Sequence, residues 1–297
     1  AVRQILLISG KGGTGKTSLA GAFALLARDK VLADCDVDAA NLHLLFEGRV
    51  VDRGTYLGSK EAVIDRERCI RCGRCVEVCR FRAIDSAITV DSLLCEGCGA
   101  CQTVCPVEAV SLQPRVSGEW RVETTEQGTL LTAELLPGEE ASGKLVSYVK
   151  RRARQCADEE GRSSMIVDGA PGTGCPVIAS LSGVDLALLV TEPSLSGLHD
   201  LRRILDVTRH FGIPARIVIN KHDLSPEISA QIEAFADAEG VEMEGVIPYD
   251  AAVPTALLDG HSVVENASSA AGNAMREIVY RVLSRLDDRD SESGGSG

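Results

Sequence analysis

Near its start the chain runs from a short apolar segment through a glycine-rich loop into a helical segment, and no other feature limits the fold as tightly. Gln4 to Ile8 is an apolar run that reads as a buried strand, and Ser18 to Ala27 reads as a helix. Between them Gly10, Gly15, Lys16 and Thr17 satisfy G-x-x-x-x-G-K-S/T in the strand–loop–helix setting that a phosphate-binding loop requires. Glycines let the backbone curl so that successive N–H groups point inward, and the helix start adds its positive dipole end. The pattern predicts a phosphate cradle from Gly10, Lys11, Gly12, Gly13, Thr14, Gly15, Lys16, Thr17 and Ser18. Lys16 should reach the terminal phosphates, and the Thr17 hydroxyl should ligate Mg²⁺. A nucleoside triphosphate is the expected ligand.

The rest of the chain supplies a sheet for this loop. Val31 to Asp38 reads as a second strand whose end is crowded with carboxylates, and Asn41 to Phe46 as a brief helix. Further strands are expected at residues 165–168, 186–191, 215–220 and 243–247, with helices at 142–157, 196–211, 226–238 and 270–286. Residues 119–135 suggest a hairpin turning at Glu126-Gln127-Gly128. Strands alternating with helices predict an α/β fold with a doubly wound, mainly parallel sheet. Ligands of such a sheet lie beyond the carboxyl ends of its strands. The glycine-rich loop, the Asp34–Asp38 turn and the loop after Asp168 should meet at that edge. Residues 287–297 are acidic and Ser/Gly-rich, and are expected to be a disordered tail.

The alternation is interrupted at residues 62–112, which divide a first part at 1–61 from a second at 113–286. The interruption is an internal repeat with an offset of 26 residues: Cys69, Cys72, Cys75 and Cys79 match Cys95, Cys98, Cys101 and Cys105. Ile64-Asp65 matches Val90-Asp91, and Ala83-Ile84 matches Ala109-Val110. Such a duplication implies two half-modules about a pseudo-twofold axis. Two runs of C-x-x-C-x-x-C-x-x-x-C suit cubane iron–sulfur clusters, the fourth cysteine of each run serving the other cluster. One [4Fe–4S] cluster is therefore assigned to Cys69, Cys72, Cys75 and Cys105, the other to Cys95, Cys98, Cys101 and Cys79. Paired C-x-x-C also serves zinc, which remains the competing metal, and clusters that act only as staples for so small a module are the competing role. The module resembles bacterial two-cluster ferredoxins, except that Arg80 follows Cys79 where Pro106 follows Cys105. The arginine should raise one potential by favouring the reduced form.

The formal charge of −12, from 31 basic and 43 acidic residues without a basic block, argues against nucleic acid and anionic membranes as partners. No apolar stretch approaches membrane-spanning length, so a cytoplasmic location is expected, where eleven cysteines point to metal rather than disulfides.

Lys11, directly after the first glycine of the loop, is not needed by ordinary P-loops. Ser9-Gly10-Lys11-Gly12-Gly13-Thr14-Gly15-Lys16-Thr17 resembles the deviant loop of the MinD/ParA class of ATPases, which includes the nitrogenase iron protein and the Mrp-type iron–sulfur carriers. Most similar are the MinD-superfamily members with an inserted ferredoxin domain. The resemblance implies that Lys11 crosses a dimer interface to the partner's nucleotide. It implies that Asp36 orients the attacking water with Asp34 supporting the Mg²⁺ shell, and that Asp168 of Asp168-Gly169-Ala170-Pro171-Gly172 holds Mg²⁺ through water. Asn220-Lys221 and Pro248-Tyr249-Asp250 resemble the base-recognition elements, with ordinary strand-end turns as the alternative. Asp38 reads as a solvated or capping residue, and Cys35 and Cys156 as structural. Cys175 has the spacing from Asp168 of a bridging-cluster ligand in the nitrogenase iron protein, but the matching second position falls near Ala141, so half of that site is missing.

Three functions follow from these features. The leading one is an ATP-gated electron-transfer protein, a homodimer or a heterodimer with a related ATPase, serving a redox or iron–sulfur partner. The second is a cluster carrier of the Mrp type, and the third a MinD/ParA-like positioning switch. The third would need a basic amphipathic C-terminal helix, whereas Arg276, Arg281, Arg285 and Arg289 are offset by Glu277, Asp287, Asp288 and Asp290.

Overall fold

A computed structural model describes residues 2–139 and 143–293. Arg3–Ser9 forms β1, buried almost throughout, and Lys16–Leu26 forms α1. Lys30–Asp34 is β2, followed by a 3-10 turn at Leu42–Leu45 and by β3 at Gly48–Ile64. Two short helices, α2 at Arg74–Val78 and α3 at Ala100–Thr103, lie in the cysteine-rich region. Next come β4 at Val110–Thr125, β5 at Gly128–Leu135 and α4 at Gly143–Glu159. The alternation then resumes with β6 at Ser164–Pro171, α5 at Cys175–Leu181, β7 at Leu186–Thr191 and α6 at Leu195–His210. It closes with β8 at Ala215–Asn220, α7 at Pro226–Glu239, β9 at Met243–Ile247, α8 at Ala252–Leu258 and α9 at Ala270–Ser293.

Among the described residues the strand order is β3-β4-β5-β2-β6-β1-β7-β8-β9. From β5 to β9 every neighbouring pair is parallel. The central strands β1, β2, β6 and β7 are buried almost throughout because helices cover both faces, as parallel sheets require. On one face Phe23, Leu19 and Ala20 of α1 pack with Met275, Ile278 and Val282 of α9 against Ile5, Leu7 and Leu188. The loop-bearing strand β1 sits between β6 and β7, so the chain leaves it in opposite directions and opens a crevice at its carboxyl end.

The chain divides into two compact units. One comprises Ala1–Arg53, Arg121–Glu134 and Ala141–Gly297 and holds the parallel sheet; the other comprises Gly54–Trp120 and Leu135–Glu140 and holds the cysteine repeat. The second unit is wider than residues 62–112, because it takes in the halves of β3 and β4 nearest the cysteines. β3 has no counterpart in the sequence reading, for a physical reason. Val50, Val51 and Leu57 are exposed, and Gly54 and Gly58 interrupt the pattern, so no apolar alternation marks the strand. The hairpin between β4 and β5 turns where expected, with Thr125 Oγ1 donating to the Gly128 carbonyl at 2.8 Å.

The expected tail needs correction. The backbone of α9 stays helical to Ser293, through residues assigned to disorder, while 294–297 lie outside the described residues. Charge does not end a helix already nucleated on a packed face, and no Gly or Pro falls between Asn273 and Gly294. Position 141 also lies outside the described residues.

Candidate nucleotide site and cysteine centre

The carboxyl ends of five strands converge on one cleft of about 600 Å³, within the usual range for small-molecule sites. Residues 12–18, from the loop after β1 and the first turn of α1, line it. Asp36, Asp38 and Asn41 enter from the turn after β2, and Pro171 from β6. Asn220 and Lys221 come from the end of β8, while Pro248, Tyr249 and Asp250 follow β9, with Leu257 of α8 beside them.

Two glycines make the loop possible. Gly15 has φ +89°, and a Cβ there would stand 2.0 Å from the amide nitrogen of Asn220. That same nitrogen donates to the Thr14 carbonyl at 2.8 Å, so Asn220 ties the end of β8 to the loop. A Cβ on Gly10 would stand 2.4 Å from Cβ of Asp200. Gly10 does not line the cleft; it lets the loop pass under α6.

Lys16 is buried, ion-paired with Asp168, and its Nζ lies 3.7 Å from Oδ2 of Asp36. Burial would lower its pKa, but the charges of Asp168, Asp36 and Asp34 outweigh burial and raise it, so the ammonium stays charged. β2 and β6 are in register with Asp34 opposite Asp168. Burial first, and the facing Asp168 carboxylate second, push the Asp34 carboxyl well above the usual range. Asp34 does not line the cleft. Its oxygens accept the backbone N–H groups of Asp36 at 3.1 Å and of Asn41 and Leu42 at 3.0 Å, which fixes the turn that presents Asp36. Asp36 is itself raised, chiefly by burial. Asp168 Oδ2 and Thr14 Oγ1 are buried with no hydrogen-bond partner among the described residues. An orphaned buried carboxylate oxygen costs about 1–3 kcal/mol or more, and hydrated Mg²⁺ is a group that would satisfy it. The donor set, Thr17 in the cleft and Asp168 behind it, fits that ion.

Lys11 turns away from the cleft. Its Nζ lies 2.7 Å from Glu192 Oε1, 3.0 Å from Ser196 Oγ and 3.2 Å from Ser194 Oγ. Glu192 Oε2 also meets Lys221 Nζ at 3.2 Å, and Lys221 reaches the Gly13 carbonyl at the same distance. Burial opposes ionisation of Glu192, but the two lysines hold its pKa below the ordinary value. Sequence reasoning missed Glu192. Its place directly after Thr191, at the carboxyl end of β7, was the available signal. It also read Asp38, which lines the cleft, as a solvated or capping residue, and it missed Leu257 and the whole of α8. Asp250 lines the cleft, yet its carboxylate already accepts Ser269 Oγ at 2.6 Å and the Ala252 N–H at 2.9 Å, and these bonds hold its pKa down.

In the other unit the cysteines gather in two small cavities. One is lined by Cys69, Cys72, Cys75 and Cys105, the other by Cys95, Cys98, Cys101 and Cys79. The repeat is structural as well as sequential. Left-handed residues recur at the same offset, Arg71 with Gly97, Gly73 with Gly99, and Arg82 with Glu108. The halves exchange equivalent bonds, Asp65 N–H to the Ala109 carbonyl and Asp91 N–H to the Ala83 carbonyl. Backbone N–H groups of Ala83 and Ala109 point at Cys79 Sγ and Cys105 Sγ, at 3.3 and 3.2 Å. For Cys105, burial raises the pKa, but bonds from Ala109, Val107, Val110 and Glu108 outweigh it. Three thiols from one run and one from the other, with N–H groups aimed at sulfur, form a donor set that fits a cubane cluster. Among the described residues no group of three or more His, Cys, Asp or Glu is arranged to hold a single metal ion. Cys35 and Cys156 are buried, and burial pushes Cys35 up to about 12; Cys175 is exposed at the start of α5.

A phosphate loop at the end of a central parallel strand, two carboxylates on the neighbouring strands and strand-end residues closing the cleft define a P-loop nucleoside-triphosphatase unit. Residues 5–263 match the CobQ/CobB/MinD/ParA nucleotide binding domain, and the chain belongs to that family of P-loop ATPases. It is 34% identical to an uncharacterised protein of Methanocaldococcus jannaschii, over 95% of this chain and 96% of that one. An iron–sulfur cluster carrier protein of Pyrococcus abyssi is 26% identical over 42% of this chain and 46% of its own length. In fold the chain is similar to the septum site-determining protein MinD of Pyrococcus horikoshii, solved with Mg-ADP, at TM-score 0.59 and 18% identity, covering 95% of this chain and 96% of that one. Among the described residues no helix is long and apolar enough to cross a membrane.

Proposed function

We propose that this chain couples a MinD/ParA-type ATPase cycle to one-electron transfer through two [4Fe–4S] clusters held by its cysteine unit. The observation that carries this reading is the pair of four-thiol cavities, each built from three cysteines of one run and the fourth of the other. Cys69, Cys72, Cys75 and Cys105 would hold one cluster, and Cys95, Cys98, Cys101 and Cys79 the other. Such clusters supply low-potential one-electron chemistry when bound.

In the ATPase unit, Lys16 would hold the terminal phosphates of ATP, and Thr17 and Asp168 the Mg²⁺, Asp168 through water. Asp34 would act at one remove, by fixing the turn. Asp36, close to Lys16 and facing the cleft, would orient the attacking water. Lys11 would exchange Glu192 for the nucleotide of a second subunit, in a homodimer or with a related ATPase, the role that an arginine finger plays elsewhere. Tyr249, Pro248 and Leu257 would flank the base. A redox or iron–sulfur protein would be the partner.

The test is anaerobic reconstitution with iron and sulfide, followed by an EPR-monitored redox titration with and without MgATP. Two S = 1/2 signals whose potentials or accessibility change with nucleotide support the reading. Failure to assemble two clusters, or indifference of both to nucleotide, overturns it. A second reading, cluster delivery, is favoured by the likeness to the Pyrococcus abyssi carrier. Rapid handover of iron and sulfide to an apo-ferredoxin would select delivery; tight retention would select electron transfer.

A further inference from the structure

The cysteine unit is symmetric in backbone and asymmetric in charge. Residues 64–75 carry four arginines against Asp65 and Glu67, net +2; the matched residues 90–101 carry Asp91 and Glu96 with no base, net −2. At the cavity of Cys69, Cys72 and Cys75 the contrast is sharpest. In the chain around these cysteines Arg71 and Arg74 stand where the other half has Gly97 and Ala100, and Ile70 where it has Glu96; of the two arginines Arg74 lines the cavity. Arg66, Arg68, Arg71 and Arg74 are all exposed.

Two of the four are already engaged. Arg66 donates to the Ala87 carbonyl and to Thr89 Oγ1, at 3.0 and 3.1 Å, and Arg68 to the Val107 carbonyl at 3.0 Å, with Glu108 3.9 Å away. Among the described residues Arg71 and Arg74 have no ion-pair partner. Arg74 lines the cavity mouth with Cys72, and Ile70 beside them is 61% exposed. Unpaired guanidinium groups around an exposed aliphatic side chain have the composition of a protein interface. The second cavity differs. Glu96 lines it, and Arg80 and Arg82 follow its fourth cysteine, so its surroundings mix signs.

We propose that the exposed basic surface carrying Arg71 and Arg74 on either side of Cys72 in the chain, with Arg74 at the cavity itself, is the docking surface for an acidic one-electron carrier protein. The inference rests on the cluster reading for what the docking serves, but the surface stands on charge and exposure alone. A chain of net charge −12 repels an acidic partner at long range, so a local basic patch both admits such a partner and orients it. Nucleic acid fits less well, since it needs a continuous basic track. Docking here would bring a carrier to one cavity and not to its pseudo-symmetric twin.

The experiment uses the full chain and, as probe, an acidic plant-type [2Fe–2S] ferredoxin, with binding followed by calorimetry across a salt series. Iron and sulfide content is assayed separately, so a chain without clusters refutes the cluster reading while its binding data still judge the surface. At about 20 mM salt the probe should bind, and binding should weaken about tenfold or more by 200 mM. Arg71→Asn with Arg74→Gln should weaken it about tenfold at low salt, asparagine being chosen because residue 71 has φ +54°. Arg49→Gln with Arg53→Gln removes the same charge from exposed positions in the other unit and should leave binding within about twofold. No binding at low salt, equal effects of the two double variants, or preference for a DNA oligonucleotide or anionic vesicles overturns the proposal.

Discussion

Lys11 and Lys16 stand five residues apart in one loop, yet their surroundings differ in kind. Lys16 is buried among carboxylates inside the cleft, whereas Lys11 is half-buried on Glu192 and two serines outside it. Lys11→Ala should therefore leave equilibrium ATP binding within about threefold, while ATP-dependent dimerisation is lost and turnover falls by about 10³-fold. Gel filtration with ATP and phosphate release would measure both. Lys16→Ala should lose nucleotide binding itself; if the two variants behave alike, the role of Lys11 in trans is wrong. A second buried cation yields a pH prediction. Lys150 Nζ donates to the carbonyls of Ser180 and Ser182, and burial lowers its pKa to about 8. Its unfolded value is near 10.5, so between pH 8 and 10.5 the unfolded chain binds more protons than the folded one. Stability should then rise with pH across that window relative to Lys150→Met. Denaturant titrations at pH 7.5, 9 and 10.5 would show the difference growing; a flat difference would refute the shift.

Among the elements, α6 begins at the same serines that hold Lys11. Ser194 caps it, its Oγ accepting the Gly197 N–H at 3.0 Å. Ser194→Ala should cost about 1 kcal/mol and lower the melting temperature by about 2–4 °C. Thermal unfolding monitored by circular dichroism would test it. The sequence reading started this helix at residue 196 and gave Ser194 no role, and the contact of Ser194 with Lys11 joins positions 183 residues apart. The strands of the parallel sheet and its longer helices were legible because each is a run of one periodicity with an edge that local chemistry marks; the seven-residue α5 had no place among the expected helices. β3 was not, because its side chains are largely exposed and carry no alternation. α8 was not, since a seven-residue helix offers too few turns for a period to show.

At the scale of the molecule, the two cavities make the repeat testable as a crossed pair. Cys79→Ser should impair the site built on Cys95, Cys98 and Cys101, and Cys105→Ser the site built on Cys69, Cys72 and Cys75. Each variant should bind about half the iron and lose one EPR signal, a different one in each case. Loss of the signal from the same run as the substituted cysteine would reverse the assignment. The sequence alone determined that a phosphate loop, a parallel α/β sheet and a duplicated eight-cysteine module share one chain, since spacing and periodicity are properties of neighbours. Only the tertiary structure decided that β1 lies between β6 and β7, that Asp34 faces Asp168 and serves the turn, and that Glu192 holds Lys11 and Lys221 together. Those relations come from strand order and register, which join residues far apart in the chain and leave no local trace in either.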